Sequence, residues 1–262
     1  MKILVCMKQV PDTQKVKMDP VKNTLIRKGV PSITNPFDES GLECALEIRE
    51  SAGGEISVLS MGIPDSECIL RDALSLGADR AFLLTDRAFA GADTLATSYT
   101  LSMAIKKIGP FDLLVFGKQA IDGDTGQVGP GVASILEYPV ITFVTGVHAI
   151  QRDRIVVERM VDSGREIVSS GYPVVLTVVK AKKRLRMPRL TTIIDSFEKR
   201  VVRLGADDIE AESARCGLKG SPTRVKKVFS PKKHARVRYI EGNAAEQAKA
   251  LVGVFRGKGV IP

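Results

Sequence analysis

The chain has 262 residues, of which 44% are hydrophobic and 26% are charged, as in an ordinary globular protein. No apolar run approaches the roughly 18 residues that a membrane-spanning helix needs, and "MKILVCMKQVPDT" shows no cleavage site, so the N-terminus predicts a strand and not a signal peptide. The four cysteines are far apart and form no C-x-x-C pair, which argues against a zinc site or a disulfide framework and fits a reducing cytoplasm. The two histidines, His148 and His234, make no metal constellation.

The net charge of +9 is unevenly distributed. Residues 180–262 carry 21 Lys and Arg against 8 Asp and Glu, a balance of +13, whereas residues 1–179 carry 18 against 22, a balance of −4. A basic segment can attract nucleic acid, an anionic lipid surface or an acidic protein. The dense run "KAKKRLRMPR" (180–189) holds no aromatic residue on which a base could stack. The composition therefore favours a protein partner over nucleic acid.

Apolar runs and helix-like segments alternate through the first half of the chain. Continuous apolar character predicts buried strands at 2–7, 55–62, 80–85 and 112–117. Helical periodicity predicts helices after Asn35-Pro36 and at 65–78, 93–109 and 126–138. Residues 16–29 predict a short hairpin or excursion. The alternation predicts an α/β fold with an open, mostly parallel Rossmann-like sheet.

The rhythm changes after Pro139. Four β-branched runs, separated by turns, are expected to add antiparallel strands to the same sheet, at 140–151, 154–161, 165–171 and 173–180. From Leu185 onward the pattern dissolves into Pro- and Lys-rich segments that end in an isolated helix near residues 244–255. We therefore predict a nucleotide-binding α/β domain at 1–190 and an extended C-terminal arm at 191–262 that packs on a partner subunit.

Four loops are expected to meet at the carboxyl edge of the sheet, where open parallel sheets bind ligands. They are the segment after the first strand (6–8), "NPFD" at the first helix (35–38), the segment after the second strand (61–62) and "FGKQAIDGDTGQVGP" (116–130).

The 116–130 loop has the composition of a ligand-binding turn. Its glycines let the backbone approach a ligand closely. Thr125 and the free amides of the following helix suit a phosphate, because unpaired N–H groups and the helix dipole attract anions. Asp122 and Asp124 are expected to cap the turn, or to bind a ribose hydroxyl or an adenine amine. The loop is neither a P-loop nor a G-x-G-x-x-G fingerprint, and a Gly/Asp-rich turn with a capped helix is the alternative.

A second candidate lies in "TDRAFAGADTLATSYTL" (85–101). Asp93 is a good N-cap, Thr94 and Thr97 lie in the first helical turns, and Phe89 is placed to act as an apolar staple. The segment is either a capped helix and no more, or a second nucleotide site at the N-terminus of that helix.

Five motifs together resemble the beta subunit of an electron transfer flavoprotein. In the family's order and spacing, they are "VCMKQVPDT", "NPFDESGLE", "RDALSLGADRAFLL", "GKQAIDGDTGQVGP" and "GSPTRVKKVFSP", and the resemblance covers essentially the whole chain. It implies a heterodimer with a homologous alpha subunit, which carries one FAD, and electron transfer between a dehydrogenase and another carrier. The beta subunit holds a second adenine nucleotide in the loops described above.

That second nucleotide divides the family into two groups. In plain electron carriers it is a structural AMP. In bifurcating members it is a second FAD, reduced by NADH, which sends one electron to ferredoxin or flavodoxin and the other through the alpha-subunit FAD to a dehydrogenase. The bifurcating group is associated with a "DR-F-G-DT--T" motif, which residues 86–97 match, and with the "DGDT-QVGP" form of the 116–130 loop. The resemblance therefore implies that this chain binds FAD and NADH.

The family's site residues transfer to this chain through these motifs. The resemblance implies that FAD is lined by Cys6, Asn35, Pro36, Phe37, Asp38, Met61, Gly117, Lys118, Gln119, Ala120, Ile121, Asp122, Gly123, Asp124, Thr125, Gly126, Gln127 and Val128. It implies that NADH is bound by Gly91, Asp93, Thr94 and Thr97. No acid–base side chain is expected, because hydride and electron transfer are the flavin's chemistry. The sequence names no cation that would stabilise an anionic reduced flavin.

The chain departs from the family after Pro188-Arg189. There the family usually continues into a strongly basic helix, whereas this chain reads "LTTIIDSFEKRV", with Asp195 and Glu198. In the family this region docks the dehydrogenase through an apolar anchor, which Ile193 could supply. The altered charge leaves open whether the partner is an acyl-CoA dehydrogenase, a dehydrogenase of 2-hydroxy acids or one acting on other acyl-CoA compounds.

Two alternatives to a bifurcating subunit stay open. One is a scaffold that holds AMP while the alpha subunit carries out all electron transfer. The other is a stand-alone nucleotide-binding module of similar fold, against which the long basic arm argues.

Overall fold

The computed structural model describes residues 1–12, 17–18, 25–26, 31–180, 185–224, 226 and 239–262. Several predicted features lie outside the described residues. They are the turn at Asp19-Pro20, residues 181–184 of the basic run 180–189, residues 225 and 227–231 of "GSPTRVKKVFSP", and His234. The chain divides into two compact units. The first comprises Met1–Asp19 and Leu25–Lys226, and the second comprises Pro20–Thr24 and Lys227–Pro262.

The first unit alternates strands and helices, as the sequence predicts. Its strands are β1 Lys2–Cys6, β2 Gln9–Pro11, β3 Lys17–Met18, β4 Leu25–Ile26, β5 Ser32–Thr34, β6 Glu55–Met61, β7 Arg80–Leu84, β8 Leu113–Gly117, β9 Val140–Ile150, β10 Arg154–Val161, β11 Gly164–Gly171, β12 Val174–Val178 and β13 Val201–Leu204. Its helices are α1 Pro36–Ala52, α2 Glu67–Ser75, α3 Thr94–Ile108, α4 Val128–Leu136 and α5 Leu190–Glu198. The second unit contains α6 Ala244–Gly257, the isolated helix that the sequence predicts.

One nine-stranded sheet organises the first unit, in the order β11-β10-β9-β12-β8-β1-β6-β7-β13. All neighbours from β9 to β13 in this order are parallel, and β10 and β11 extend it as antiparallel strands. The predicted fold class is therefore confirmed. From β1 the chain adds β6 and β7 on one side and then β8 on the other. The strand order thus reverses between β1 and β8, at the point where doubly wound sheets bind ligands.

The predicted direction of the last of the four runs after Pro139 is wrong. Residues 174–178 form β12, which lies between β8 and β9 and is parallel to both. All five of its residues are buried, as a central parallel strand requires, whereas most of β11 is exposed. The long hairpins of β9, β10 and β11 are therefore an excursion from which the chain returns to the centre of the sheet.

The strand β13 is absent from the sequence-based prediction. It is four residues long, only partly buried, and pairs in parallel with β7 at the sheet edge. Residues 191–226 consequently belong to the first compact unit, whereas the predicted division at 190 placed them in the arm. The packing of an arm on a partner subunit stays a prediction.

Each face of the sheet is covered by its own hydrophobic cluster. In β1, Ile3 and Val5 point to the cluster that includes α1 and α2, while Leu4 and Cys6 point to the cluster that includes α3 and α4. Such alternation is the period-2 geometry of a strand buried on both faces. None of the helices in the described ranges has the length and apolar character to cross a membrane.

Gly117, at the end of β8, permits the closest approach between α1 and the sheet edge. A Cβ atom at this position would overlap the Asp38 carboxylate, and it would lie 2.7 Å from Phe37 Cβ and 2.8 Å from the Asp38 backbone nitrogen. We expect Gly117→Ala to lower the free energy of unfolding by about 1–3 kcal/mol, because α1 must shift away from β8. Urea denaturation followed by circular dichroism measures the change.

Gly123→Ala is the matched control for this prediction. A Cβ atom at Gly123 would meet nothing within 4 Å, so the control should keep the stability of the unmodified chain. Equal stability of the two variants would contradict the steric argument.

Candidate functional site

The buried carboxylate of Asp38 connects the two strands between which the sheet order reverses. Its Oδ2 accepts a hydrogen bond from the Lys8 backbone N–H at 2.8 Å, just beyond β1. Its Oδ1 accepts one from the Gly117 backbone N–H at 3.1 Å, at the end of β8. Asp38 lies in the first turn of α1, so one side chain joins a helix start to two strand ends.

Asn35 holds the 116–130 loop against the same helix start. Its Nδ2 donates to the Gln119 carbonyl at 2.8 Å, and its Oδ1 accepts from the Ile121 N–H at 3.2 Å. Its own backbone N–H donates to the Lys8 carbonyl at 2.9 Å. Asn35 is buried and Pro36 begins α1, so the predicted site segment 35–38 positions the 116–130 loop against the start of this helix.

Burial raises the pKa of two side chains at this edge of the sheet, Asp38 and Cys6. Desolvation raises the pKa of Asp38 to about 7, against the opposing effect of the hydrogen bonds from Lys8, Asn35 and Gly117. Burial also raises the pKa of the Cys6 thiol, to which the Asp38 carboxylate contributes. Cys6 ends β1 and is buried, while Met61 ends β6 and is half-buried. The structure thus brings these predicted residues to one edge.

Both acidic residues of the 116–130 loop have partners inside the chain. Asp122 accepts two hydrogen bonds of 2.8 Å from Lys8 Nζ, and Asp124 accepts one of 2.7 Å from Gln119 Nε2. The Ala120 carbonyl accepts from the Asp124 N–H at 2.8 Å. The Asp124 contacts agree with the expected turn-capping role, whereas Asp122 forms an ion pair with Lys8 of another loop, which reduces the repulsion that a nearby phosphate would meet.

The N-terminus of α4 has no side-chain cap. Gln127 occupies the cap position but makes no capping hydrogen bond, and its Oε1 instead accepts from Thr94 Oγ1 at 2.8 Å. The preceding Thr125-Gly126 segment turns with Gly126 at φ 63°, a conformation that favours glycine. First-turn amides without a side-chain cap, beside a glycine-rich turn at the strand-order reversal, form a site suited to a phosphate.

At the second predicted site, the start of α3, the first-turn amides already donate to a capping side chain. The Asp93 carboxylate caps α3 by accepting from the Leu95 and Ala96 N–H groups at 3.0 and 3.1 Å. It also accepts from the backbone and hydroxyl of Thr223 at 3.1 and 2.8 Å, while the Asp93 N–H donates to Ser221 Oγ at 2.8 Å. Desolvation opposes these hydrogen bonds, but together they lower the pKa of Asp93. The predicted cap is confirmed, and the predicted nucleotide contact stays a prediction.

The other residues of this second site lie around the same contact. Gly91 has a φ of 74°, and a Cβ atom there would lie 3.3 Å from Leu218 Cβ. Thr94 contacts Gln127, as described above, and Thr97 is half-buried in the first turns of α3. The segment 217–223 therefore covers part of the predicted site, which no local pattern in the sequence indicated.

Two residues of the first site are absent from the set that the sequence assigned to FAD, although Lys8 lies in the predicted loop 6–8. Lys8 pairs with Asp122, and Thr177 on β12 packs against the start of α4, where a Cβ atom on Gly129 would lie 2.8 Å from Thr177 Cγ2. Lys8 is part of the motif "VCMKQVPDT" and could have been found there. Thr177 lies within an apolar strand, so only the fold reveals its position.

The raised pKa of Asp38 makes a prediction about the pH dependence of stability. Between about pH 4 and pH 7, Asp38 keeps its proton in the native chain but has lost it in the unfolded chain. The stability that comes from this bound proton is therefore present at low pH and is lost as the pH rises through that window. Asp38→Asn removes the titration, and its amide can accept only one of the two backbone N–H groups, which should cost about 1–3 kcal/mol. Urea denaturation from pH 4 to pH 8 measures both effects. Parallel pH profiles for the variant and the unmodified chain would contradict the assignment.

Comparison with known proteins identifies the family of the chain. Residues 22–191 match the model of the electron transfer flavoprotein domain. The chain is 47% identical over 262 residues to the electron transfer flavoprotein subunit beta of Thermoanaerobacterium thermosaccharolyticum, with both chains covered completely. It is 44% identical over 263 residues to the caffeyl-CoA reductase–Etf complex subunit CarD of Acetobacterium woodii, again with complete coverage of both.

A third relative comes from a different bacterium. The chain is 44% identical over 256 residues to protein FixA of Bradyrhizobium diazoefficiens, which covers 95% of this chain and 89% of that relative. The domain match extends over more than half of the chain, and the similarity to these relatives extends over nearly all of it. The chain therefore belongs to the electron transfer flavoprotein family, as a beta subunit.

Proposed function

We propose that this chain binds FAD and NADH, and that its heterodimer with an alpha subunit bifurcates electrons. One electron passes to ferredoxin or flavodoxin, and the other passes through the alpha-subunit FAD to a dehydrogenase. The observation that carries the proposal is the uncapped start of α4 beside the glycine-rich 116–130 loop, at the strand-order reversal. The match of residues 86–97 to the motif of bifurcating members supports the choice of FAD and NADH.

The residues present fit a dinucleotide with a diphosphate. A Cβ atom at Gly123 would meet nothing within 4 Å, and one at Gly126 would meet only the Lys118 carbonyl, at 3.4 Å, so the loop backbone is open to a ligand. Asp122 is paired with Lys8 and Asp124 with Gln119, so neither carboxylate is left to repel the phosphates without a partner.

Each part of the chain has a distinct task in this proposal. Bound FAD supplies the hydride and single-electron chemistry. The first-turn amides of α4 hold the diphosphate, and the edge at Cys6 and Met61 receives the adenosine. Asn35 and Asp38 act one step away, because their polar atoms already hold the loop and the strand ends.

One observation favours the alternative of a structural AMP without bifurcation. The α3 amides that were candidates for holding NADH already donate to Asp93, and the segment 217–223 lies against the same helix start. An AMP needs only the α4 site and the adenosine edge, and it makes no demand on α3.

Counting the nucleotides distinguishes these two functions. The chain is purified with its alpha subunit and denatured, and the released nucleotides are separated by chromatography. We expect two FAD per heterodimer, and bleaching of flavin absorbance when NADH is added to the native complex. One FAD and one AMP per heterodimer, with no bleaching by NADH, would establish the alternative.

The partner surface proposed for the dehydrogenase is the outer side of α5. Its exposed apolar residues are Leu190, Ile194 and Phe197, preceded by Met187, and they recur at helical spacing. Phe197 is 74% exposed, whereas Ile193, the anchor proposed from the sequence, is half-buried. We therefore propose that the stripe 187, 190, 194 and 197 makes the main contact and that Ile193 contributes from its border.

A clamp from α2 holds this docking helix in place. Arg71 donates to the carbonyls of Ser196 and Lys199 at 3.1 and 2.7 Å, at the C-terminal end of α5. Lys199 Nζ donates to the Ala78 carbonyl at 2.7 Å. Cations that bind the last carbonyls of a helix also interact favourably with its dipole. An exposed apolar stripe on a firmly held helix is suited to docking a protein.

Removing the centre of the stripe tests the docking proposal. The double variant Ile194→Ala/Phe197→Ala should raise the apparent KM for the dehydrogenase isolated with the heterodimer by about tenfold or more, since central apolar anchors contribute about 2 kcal/mol or more each. Nucleotide content and dye reduction should stay unchanged. Thr191→Ala, an exposed polar position on the same helix, is the control. An unchanged KM in the double variant would remove α5 as the docking site.

The C-terminal unit fits a role on the alpha subunit. The α6 helix begins with a capping box of Asn243 and Glu246, and it exposes apolar residues, including Leu251 and Phe255. A well-capped helix with an uncovered apolar side is suited to packing on another chain. The four cysteines, all free thiols, fit the proposal that the complex works in the reducing cytoplasm.

A further inference from the structure

We infer that Lys118 and Phe143 form the subsite for the isoalloxazine ring of the flavin, with Lys118 favouring its anionic reduced form. The inference rests on the proposed function, since it concerns the part of FAD that AMP lacks. It adds Phe143 to the site and gives Lys118 a role that the sequence could not assign.

Phe143 has a backbone conformation that a packed strand does not require. It lies in β9 with a φ of +60°, although an aromatic side chain is unfavourable in the left-handed region. The pairing of β12 with β9 shifts register between Leu176 and Val178, opposite this point. The Phe143 N–H donates to Thr177 Oγ1 at 3.2 Å in place of a ladder carbonyl. Phe143 lies level with the carboxyl end of β12, and backbone strain that the surrounding structure maintains near a ligand-binding edge suggests a functional role.

Lys118 places a positive charge over the Phe143 ring. It directly follows β8, its backbone N–H donates to the Val178 carbonyl at 2.7 Å, and its Nζ lies 5.2 Å from the ring centroid. Both side chains are half-buried. Within the described ranges, Lys118 makes no ion pair with a carboxylate. Its ammonium group is instead placed by the cation–π contact with the Phe143 ring.

The pair lies beside the proposed diphosphate site. Thr177 packs against Gly129 in the first turn of α4 with its Cγ2 and accepts the Phe143 N–H with its Oγ1. The Lys118 carbonyl faces Gly126, where a Cβ atom would lie 3.4 Å away. A ligand whose phosphates bind at α4 therefore has Phe143 and Lys118 as its neighbours on the β9 side.

The order of the strands separates this subsite from the adenosine. The adenosine edge lies at β1 and β6, the phosphates lie at β8 and α4, and Phe143 lies on β9. From β1 to β9 there are three strand spacings, roughly 14 Å at the usual separation of strands. AMP ends at its phosphate, whereas FAD continues through a second phosphate and a ribityl chain to a three-ring system. Only the larger ligand can reach Phe143.

The chemistry of the two side chains matches that ring. An aromatic face stacks on the isoalloxazine in an offset or edge-to-face arrangement. An ammonium group close to the ring stabilises the negative charge of the reduced form relative to the neutral oxidised form, which raises the midpoint potential. Phe143 is thus a binding residue, and Lys118 adjusts the electrostatics of the same ring.

Binding of FAD and AMP by the heterodimer tests the subsite. The complex is stripped of nucleotides, and the FAD binding that AMP displaces is taken as the beta-subunit site. We expect Phe143→Gly to weaken this FAD binding by about tenfold or more, as for the loss of one stacking aromatic, while AMP affinity stays unchanged. Glycine tolerates the φ of +60°, so this variant should keep its fold. Phe143→Tyr keeps the ring and should bind FAD as the unmodified complex does.

Lys118 is tested by spectroelectrochemical titration of the same flavin. Lys118→Gln should weaken binding of reduced FAD more than that of oxidised FAD and lower the midpoint potential, whereas Lys118→Arg should leave the potential near its original value. Equal FAD affinity in Phe143→Gly, an equal loss of FAD and AMP affinity, or an unchanged potential in Lys118→Gln would overturn the subsite. An unmodified complex that binds AMP but has no AMP-displaceable FAD would overturn the proposed function, and the subsite with it.

Discussion

The buried carboxylate of Asp38 is the contact on which the candidate site depends. It accepts one backbone N–H from the end of β1 and one from the end of β8, the two strands between which the sheet order reverses. Buried backbone N–H groups need partners, and at this edge the ladder can no longer supply them. A carboxylate with two acceptor oxygens satisfies both groups and fixes the start of α1. Desolvation opposes its charge and raises its pKa to about 7.

This arrangement separates residues that hold the site from groups that are free to bind. Asn35 and Asp38 direct their polar atoms at the loops, and Asp93 directs its carboxylate at α3 and the segment 221–223. The start of α4 has no such side chain, because Gln127 is turned toward Thr94. The start of α4 has no side-chain cap and follows a glycine-rich turn at the strand-order reversal, so a bound anion can accept hydrogen bonds from its first-turn amides.

The exposed apolar surfaces of α5 and α6 fit the proposed complexes. The outer stripe of α5 and the apolar residues of α6 are left uncovered within their own units, at a solvation cost that an isolated protein would avoid. In a family whose beta subunits work in complexes, these surfaces are suited to partners. The hydrogen bonds from Arg71 join the end of α5 to α2, and a surface held by such contacts loses less entropy on docking.

The sequence by itself determined the elements with strong local patterns. The continuous apolar runs of β1, β6, β7 and β8, the Asp93 cap and the glycine-rich 116–130 loop all follow from neighbouring residues, and the expected bounds of these strands agree with the structure to within two residues. The resemblance to the family added the positions that are proposed to face a nucleotide, because five short motifs in a fixed order are specific together.

Tertiary structure decided everything that depends on which segments become neighbours. The direction of β12 follows from its insertion between β8 and β9, and β13 exists because an edge of β7 was available for a strand with little apolar character of its own. Asp93 meets Thr223 across 130 positions, and Phe143 lies next to Lys118 only because β12 brings Thr177 between β9 and α4. A local pattern specifies the period and burial of one segment. The register between distant segments is set by the packing of the whole sheet, and the site residues that the sequence did not reveal arise from that register.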